Sequence, residues 1–223
     1  MTPGQGQRRQ EILRAATARF GRDGYEDTKW ADIAADVGVG PTALYHYFES
    51  KQHCLYEILG EAIEHFRARF RALTAAHAHP VEALRAVFMD CFDLSELEVL
   101  RNRLLVAEQG LLSGRRASPR EEQARQAARA RTRDLEFEWA SFLSTAMQQG
   151  AVPHNDPRLL ARAVLGLYNS IWTWYRPHGI VELERVSEFY VERMLAVVGA
   201  SDVPRRRYGA ARSEGFPDGT LAA

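Results

Sequence analysis

Hydrogen-bonding side chains lie close together in residues 32–48, at a spacing that places them on one side of a helix. Thr42 and His46 are one helical turn apart, and their hydroxyl and imidazole groups can both donate and accept hydrogen bonds. Ala43, beside them, offers a methyl group that can pack on the methyl of thymine. Groups of these kinds read base edges in the DNA major groove, so the segment predicts a surface for contact with nucleobases.

Two short helices joined by a tight turn are predicted to position these side chains. The first is expected over about 29–37, with Thr28 available as its N-cap. Gly38 follows as a residue able to adopt the positive φ that ends a helix. The second starts near Pro41, whose fixed φ suits a first helical position. The backbone amides around Gly40 have no helical partner there, and a DNA phosphate can accept hydrogen bonds from them.

The second helix is predicted to have distinct inner and outer sides. Leu44, Tyr47 and Phe48 fall on the inner side, whereas Thr42 and His46 point away from it. This is the arrangement of a helix-turn-helix, whose second helix enters the major groove.

Between about positions 8 and 60, aromatic, aliphatic, glycine, hydroxyl and charged residues occur in a characteristic order and spacing. They are Phe20, Gly24, Tyr25, Thr28, Asp32, Ile33, Ala34, Gly38, Val39, Leu44, Tyr45, His46, Tyr47, Phe48, Ser50 and Lys51. The pattern resembles the N-terminal signature of the tetracycline-repressor (TetR) family. The resemblance implies an all-α homodimer, in which a three-helix DNA-binding head is joined by a fourth helix to a larger ligand-binding and dimerising body. The alternative is a plain helical bundle with an incidental tight turn.

The resemblance also implies roles for single residues. Tyr45 and Tyr47 match the family's phosphate-contacting aromatic residues, and Lys51 matches its phosphate-binding lysine. Thr28 matches a contact to the DNA backbone at the start of the second helix. Lys29 stands where members often carry a second threonine. The whole set predicted to contact DNA is Thr28, Lys29, Gly40, Pro41, Thr42, Ala43, Tyr45, His46, Tyr47 and Lys51.

Composition limits how the chain can bind DNA and which chemistry it can perform. The 223 residues hold 29 Lys plus Arg and 29 Asp plus Glu, so DNA affinity must come from local placement of cations. The sequence contains no Ser-His-Asp, Cys-His or phosphate-loop pattern, so no enzyme activity or cofactor is predicted. The pair His77 and His79 has no third ligand nearby, so no metal site is predicted.

The chain is predicted to divide into three parts. These are a DNA-binding head over 1–50, a ligand-binding and dimerisation body over 51–200, and a disordered tail over 201–223. Residues 1–7 are expected to precede the first helix as a mobile leader. No apolar run approaches the roughly 18 residues that a spanning helix needs, so a cytoplasmic protein without membrane contact is expected.

About nine helices are predicted in all. The fourth spans about 51–76, and a long helix over about 119–149 has a polar first half expected to project into solvent or to cover a loop. The last two, over about 157–176 and 181–198, are expected to pair with their copies in a two-fold four-helix interface.

The body is predicted to enclose a pocket for a hydrophobic effector. The segment 172–179 resembles part of a TetR subgroup of lipid- and steroid-catabolism repressors, some of which respond to acyl-coenzyme A thioesters. Arginines at 125, 129, 131 and 133 either meet the phosphates of such a ligand or form a solvated helix face. Trp172 either lines the pocket or packs in the core or dimer interface. The predicted lining is Phe88, Phe92, Leu104, Leu105, Phe137, Phe142, Tyr168 and Trp172.

These features together predict a ligand-responsive, DNA-binding transcriptional regulator. It would be a homodimeric repressor, released from a palindromic double-stranded operator by a hydrophobic small molecule such as an acyl-coenzyme A. Two alternatives remain open. One is an all-α enzyme or small-molecule carrier whose head is merely structural, and the other is an architectural DNA binder without an effector.

Overall fold

The structure, a computed structural model of the chain, describes residues 3–200, and all regular structure among them is helical, as predicted. The predicted tail over 201–223 lies outside these residues. The α-helices, in chain order, are α1 (Pro3–Asp23), α2 (Trp30–Asp36), α3 (Pro41–Leu44), α4 (Lys51–Ala76), α5 (Pro80–Asp90), α6 (Glu96–Glu108), α7 (Pro119–Gln148), α8 (Pro157–Trp174) and α9 (Leu183–Val198). A short 3-10 helix, Gln109–Leu112, follows α6 directly.

Local side-chain caps start several of the helices. The Ser50 hydroxyl accepts a hydrogen bond from the His53 amide at 3.0 Å and so begins α4. Ser95 and Glu98 form a capping box at the start of α6, in which each side chain accepts from the other's backbone amide. The Asp156 carboxylate accepts from two amides in the first turn of α8, at 2.8 and 3.1 Å. Each cap satisfies amides that have no partner within the helix.

The structure changes one predicted boundary and distinguishes between two roles predicted for α7. The expected leader over 1–7 is helical from Pro3 onward, because proline suits a first helical position and Gln7 adds an i,i+4 contact with Glu11 at 3.4 Å. The polar first half of α7 was predicted either to project into solvent or to cover a loop, and the second alternative is the one observed. It buries Ala124 and Ala128 in a core shared with α4, and so covers the segment Gln109–Leu112.

Two hydrophobic cores lie along the chain, and α4 contributes to both. The first core joins α1, α2, α3 and the start of α4, and it also includes Leu104 and Leu112 from beyond the predicted head. The second joins α5 with α7, α8 and α9 around Phe88 and Trp139, and it receives Phe70 from the far end of α4. The two units are therefore packed together rather than merely connected.

Residues 3–200 contain neither a membrane-spanning helix nor a metal-binding cluster. No helix there is both long and apolar enough to cross a bilayer. No cluster of three His, Cys, Asp or Glu side chains there is arranged to hold a metal ion. Cys54 and Cys91 are free and buried, and burial raises the pKa of both thiols well above the usual value.

Gly21 is expected to be intolerant of a side chain, because α1 approaches α6 closely at this point. A Cβ at Gly21 would lie 2.6 Å from the Cβ and 3.1 Å from the carbonyl oxygen of Leu100. Gly21→Ala should lower the free energy of unfolding by about 1–3 kcal/mol, measured by urea denaturation. Gly4→Ala in the same helix, where nothing lies within 4 Å, is the matched control and should not destabilise the protein. Equal effects of the two changes would show that the contact does not limit packing.

Candidate DNA-binding surface and effector cavity

The segment from Pro41 to Phe48 presents one side to the core and the other to solvent. Leu44 and Phe48 are buried in the first core, where Phe48 meets the Trp30 ring edge-on at 6.5 Å. Thr42 and His46 are exposed on the opposite side, and Tyr45 is 55% exposed. Regular helix ends at Leu44 and continues as a turn, so burial of Leu44 and Phe48, rather than helix length, holds the outer side in place.

The turn between α2 and α3 is fixed by main-chain hydrogen bonds and by one long side chain. Gly38 has a φ of 68°, and its amide donates to the Ala35 carbonyl at 3.1 Å. The Val39 amide donates to the Ala34 carbonyl at 3.0 Å. The Arg8 guanidinium of α1 donates to the Val37 carbonyl at 3.1 Å. The two helices are thus held at a defined angle, as a helix-turn-helix requires.

The other predicted contacts near α3 differ in their accessibility. Lys29, Gly40 and Pro41 are exposed. Ala43 and Tyr47 are half-buried, and Tyr47 packs against the first core. Four of these residues belong to the same segment as Thr42 and His46, and we define the outer side of residues 40–47 as the recognition surface; Lys29 lies at the start of α2.

Lys51 and Thr28, both predicted to contact DNA, have contacts within the protein that the sequence did not predict. The Lys51 ammonium donates to the carbonyls of Tyr25, Glu26 and Thr28 at 2.7, 3.2 and 3.0 Å, and it lies 4.4 Å from the centre of the Tyr25 ring. Thr28 is buried, and its hydroxyl donates to the Gly24 carbonyl at 2.7 Å instead of capping α2. Both side chains bind the loop between α1 and α2, because its carbonyls have no helical partners.

A cavity of about 410 Å³ lies in the body between α4, α6, α7 and α8. Only Leu105 and Tyr168 of the eight predicted lining residues face it. Of the lining residues that were not predicted, some lie within one or two helical turns of Leu105 or Tyr168, and most of the others belong to α4 and α7. The lining is Ala62, Ile63, Phe66, Asn102, Leu105, Gln109, Leu112, Ser113, Arg129, Thr132, Arg133, Leu135, Glu136, Leu165, Tyr168 and Asn169.

Three of the predicted lining residues are core or surface residues instead. Phe88 stacks on Trp139 at 5.8 Å, and Phe142 packs edge-on against Phe70 at the same distance. Phe137 is 67% exposed to solvent. Residues adjacent in a helix point about 100° apart, so the phase of α7, and not its composition, decides which aromatic rings are internal.

Three more predicted residues lie away from the cavity, on other walls. Phe92 is buried in the second core and borders a groove between α5 and α9. Leu104 and Trp172 are buried at a crevice on the opposite side of α6. They were predicted to line the cavity because core and pocket are built from the same aromatic and aliphatic residue types, which the sequence alone does not distinguish.

The cavity combines an apolar interior with a few polar groups. The Asn102 amide donates to the Tyr168 hydroxyl at 3.0 Å, and that hydroxyl donates to the Cys91 carbonyl at 3.1 Å. Burial raises the pKa of Tyr168 well above the usual value, so the hydroxyl keeps its proton. Arg129 and Arg133 are exposed on the α7 wall, and neither forms an ion pair with any residue between 3 and 200.

The other two arginines considered for ligand binding have structural contacts. Arg125 is only 5% exposed, donates to the Leu112 carbonyl at 2.6 Å and pairs with Glu122. This pairing lowers the pKa of the Glu122 carboxyl. Arg131 lies against Gly60 of α4.

One wall of the cavity is hydrogen-bonded to Tyr56, in the second turn of α4. Leu112 and Ser113 line the cavity, and the preceding Leu111 carbonyl accepts hydrogen bonds from the Tyr56 hydroxyl at 3.1 Å and from Arg116 at 3.0 Å. A displacement of this wall would therefore shift the start of α4 as well.

The start of α7 continues this contact path to the recognition surface. The Ser118 hydroxyl donates to the Glu49 carboxylate, and the Ser50 hydroxyl donates to the Glu121 carboxylate. Glu49 and Ser50 directly follow the buried Phe48. The segment 109–122 thus extends from the cavity to Glu49 and Ser50, directly after the recognition surface.

Large apolar side chains are exposed on the last two helices. Leu159 and Trp174 of α8 are 63% and 45% exposed, and Phe189 and Val197 of α9 are 52% and 41% exposed. Apolar residues gathered on one part of a surface mark sites of association.

Comparison with known proteins agrees with both halves of this architecture. A family model described as bacterial regulatory proteins, tetR family, matches residues 12–58, and a second described as tetracyclin repressor-like, C-terminal domain, matches residues 110–198. The HTH-type transcriptional repressor KstR2 of Mycobacterium tuberculosis is 29% identical over 193 residues, covering 84% of this chain and 91% of the relative.

Solved structures show the same fold. The TetR family transcriptional regulator PfmR from Thermus thermophilus is 30% identical, with a TM-score of 0.67 over 83% of this chain and 97% of that one. AibR in complex with isovaleryl coenzyme A and operator DNA is 26% identical, with a TM-score of 0.68 over 84% of this chain and 97% of that one. On this sequence and structural likeness, the chain belongs to the TetR family of bacterial transcriptional regulators.

Proposed function

We propose that the protein is a homodimeric repressor that leaves a palindromic operator when a hydrophobic acyl thioester enters the cavity. The observation that carries the DNA-binding part is the exposure of Thr42 and His46 opposite the buried Leu44 and Phe48. A second helix with this polarity suits insertion into the major groove. Such a repressor would act on the chromosome in the cytoplasm.

Dimerisation through α8 and α9 would set the distance between two recognition surfaces. The apolar side chains on these helices, Leu159, Trp174, Phe189 and Val197, support a four-helix interface with a second copy. The two surfaces would then enter successive major grooves, about 34–36 Å apart on a palindromic site.

The cavity supports an acyl-coenzyme A as the class of effector. Its volume of about 410 Å³ falls within the common range for ligand sites, about 300–1,000 Å³. Phe66 and Leu165 suit an acyl chain, whereas Arg129 and Arg133 are unpaired guanidinium groups suited to phosphates. The structure of AibR with isovaleryl coenzyme A adds a relative with this type of ligand.

Two contact paths would couple the cavity to the recognition surface. Helix α4 lines the cavity with Ile63 and Phe66, and it begins at Lys51, three residues after Phe48. The segment 109–122 forms the second path, through its hydrogen bonds to Tyr56, Glu49 and Ser50. An effector that binds the DNA-incompetent state about 100-fold better contributes about 2.7 kcal/mol of coupling, within the usual allosteric range.

The alternative of an enzyme or carrier with a structural head is tested by DNA binding. A mobility shift with the protein's own upstream intergenic DNA should give a salt-sensitive, sequence-specific complex. Membership of a regulator family favours the repressor over the enzyme. Absence of any specific complex would favour the enzyme or carrier.

Thr42→Ala and His46→Ala are expected to weaken binding to the specific operator far more than to unrelated DNA. Loss of a base-edge contact costs about 1–3 kcal/mol, which corresponds to about 5- to 150-fold in affinity. The measurement is a pair of titrations, with operator and with scrambled DNA. Thr145→Ala and His154→Ala change the same residue types on exposed parts of the body and should leave both affinities unchanged. A parallel loss for both DNAs would contradict base reading by this surface.

Arg129→Gln combined with Arg133→Gln is expected to weaken binding of acyl-coenzyme A thioesters by at least about tenfold. Each arginine would lose charge-assisted hydrogen bonds to ligand phosphates, worth about 1.5–3 kcal/mol. Isothermal titration with a panel of thioesters of different chain length measures the change, and Arg120→Gln on the exposed start of α7 is the control. Acyl pantetheine, which lacks the nucleotide, should bind both forms equally. Unchanged affinity of the double variant for the thioesters would exclude this mode of binding.

Tyr56→Phe is expected to uncouple the effector from the operator. The change removes only the hydroxyl, which donates to the Leu111 carbonyl and accepts from the Arg116 Nε at 2.5 Å, and it leaves the cavity lining intact. Operator affinity should then fall less than about tenfold at saturating thioester, against about 100-fold for the parent chain, as measured by fluorescence anisotropy. Tyr175→Phe, at a buried tyrosine of the body, is the matched control. Full release by the effector in the Tyr56 variant would show that this path is not used.

A further inference from the structure

A second crevice, of about 490 Å³, lies between the head and the body. Its head wall is the end of α1 and the following turn, residues 20–25, and its body walls are α6 and the end of α8. It is separate from the effector cavity, because α6 presents Asn102 and Leu105 to the cavity but Arg103 and Ala107 to the crevice.

Three arginines line this crevice without a carboxylate partner. Arg22 belongs to the head, whereas Arg103 and Arg176 belong to the body. Within residues 3–200, neither Arg22 nor Arg103 has a hydrogen bond or ion pair. Arg176 donates only to main-chain carbonyls, those of Thr173 and Tyr175, at 3.2 and 3.0 Å.

Several other partly buried arginines are paired with carboxylates. Arg69 of α4, for example, bonds the Asp90 carboxylate at 2.7 Å, and Arg67 bonds that of Glu138 at 2.6 Å. The Nε atom of Arg103 is buried without a hydrogen-bond partner, as is that of Arg67, but Arg103 has no carboxylate partner among residues 3–200 to offset this. A buried guanidinium N–H without an acceptor is costly, so Arg103 is poised to gain from an added anion.

The electrostatics of the crevice point the same way. Burial and the neighbouring charge of Arg176 lower the pKa of Arg103, so two like charges face the same space without compensation. Of the two acids on the walls, Asp23 lies 3.7 Å from Arg19 and is partly neutralised there. The other acid, Glu108, has its pKa raised by burial. The crevice walls thus carry three arginines against two acids, and one of these acids, Asp23, is paired with Arg19.

We propose that this crevice is a second ligand site, which binds a small molecule bearing a phosphate or diphosphate group. Guanidinium groups match phosphate oxygens in a bidentate, planar geometry, and Arg103 and Arg176 together suit an anion with more than one charge. Arg22 approaches the same space from the head. A bound anion would therefore touch both units and hold the head at a fixed position against α6 and α8.

Inorganic pyrophosphate is a suitable probe for the site. The full chain should bind it saturably in isothermal titration at constant ionic strength, and Arg103→Gln combined with Arg176→Gln should weaken this binding at least tenfold. Arg158→Gln, at an exposed arginine of α8 that has no ion pair within residues 3–200, should leave the affinity unchanged.

Thermal unfolding without the probe checks that the variants fold. Arg103→Gln removes an uncompensated charge, so its Tm should equal or exceed that of the parent chain. Absence of saturable binding, or equal loss in the Arg158 variant, would overturn the proposal. Loss in the Arg129→Gln, Arg133→Gln double variant instead would place the probe in the effector cavity and also overturn it. Release of operator by thioesters is measured independently of these outcomes, so the two proposals can fail separately.

Discussion

The burial of Leu44 and Phe48 is the interaction on which the recognition surface depends. A helix of four residues cannot be stable alone, because a nucleus of one turn costs more conformational entropy than its hydrogen bonds return. The first core therefore holds the segment from outside, through contacts of these two side chains with α1, α2 and α4. Any change that loosens that core would disorder Thr42 and His46 without touching them.

The same core extends beyond the head, and this has a consequence for signalling. Leu104 and Leu112, from α6 and the 3-10 helix, are buried with the head residues rather than with the body. Leu112 also lines the effector cavity. Cavity and head core thus share a side chain, and interiors at crystal-like density transmit displacement rather than absorb it. The long polar start of α7 is explained by this arrangement, since its side chains bond to the head instead of packing in the body.

Features that depend on neighbouring residues in the chain, such as helix starts, could be predicted from the sequence. Features that depend on how each helix is rotated against its neighbours, such as the cavity lining, could not. The starts of α4, α6 and α8 were predictable because Ser50, Ser95 and Asp156 cap them with their own side chains. The inner and outer sides of 41–48 followed from helical spacing. The cavity lining did not, because one step along α7 separates an exposed Phe137 from a half-buried Glu136 on the cavity wall. Which carbonyls Lys51 would bind was equally invisible, since they belong to a loop more than twenty residues earlier.

Pairing of charges explains how a protein of zero net charge can still select DNA. Three arginines of α1 are paired with carboxylates: Arg8 with Glu11, Arg9 with Glu57 and Glu61, and Arg19 with Asp36. The Lys51 ammonium is bound by loop carbonyls.

Few head cations among residues 3–200 are therefore free to displace counterions, and the exposed Lys29 at the start of α2 is one of them. Sequence-independent binding, which depends on that displacement, should accordingly be weak. In the proposed complex, hydrogen bonds from Thr42, His46 and Tyr45 to the duplex would carry a larger share of the binding energy. A single head with so few contacts would bind poorly, so useful affinity would require the two heads of the proposed dimer, in which the second head binds at a high effective concentration.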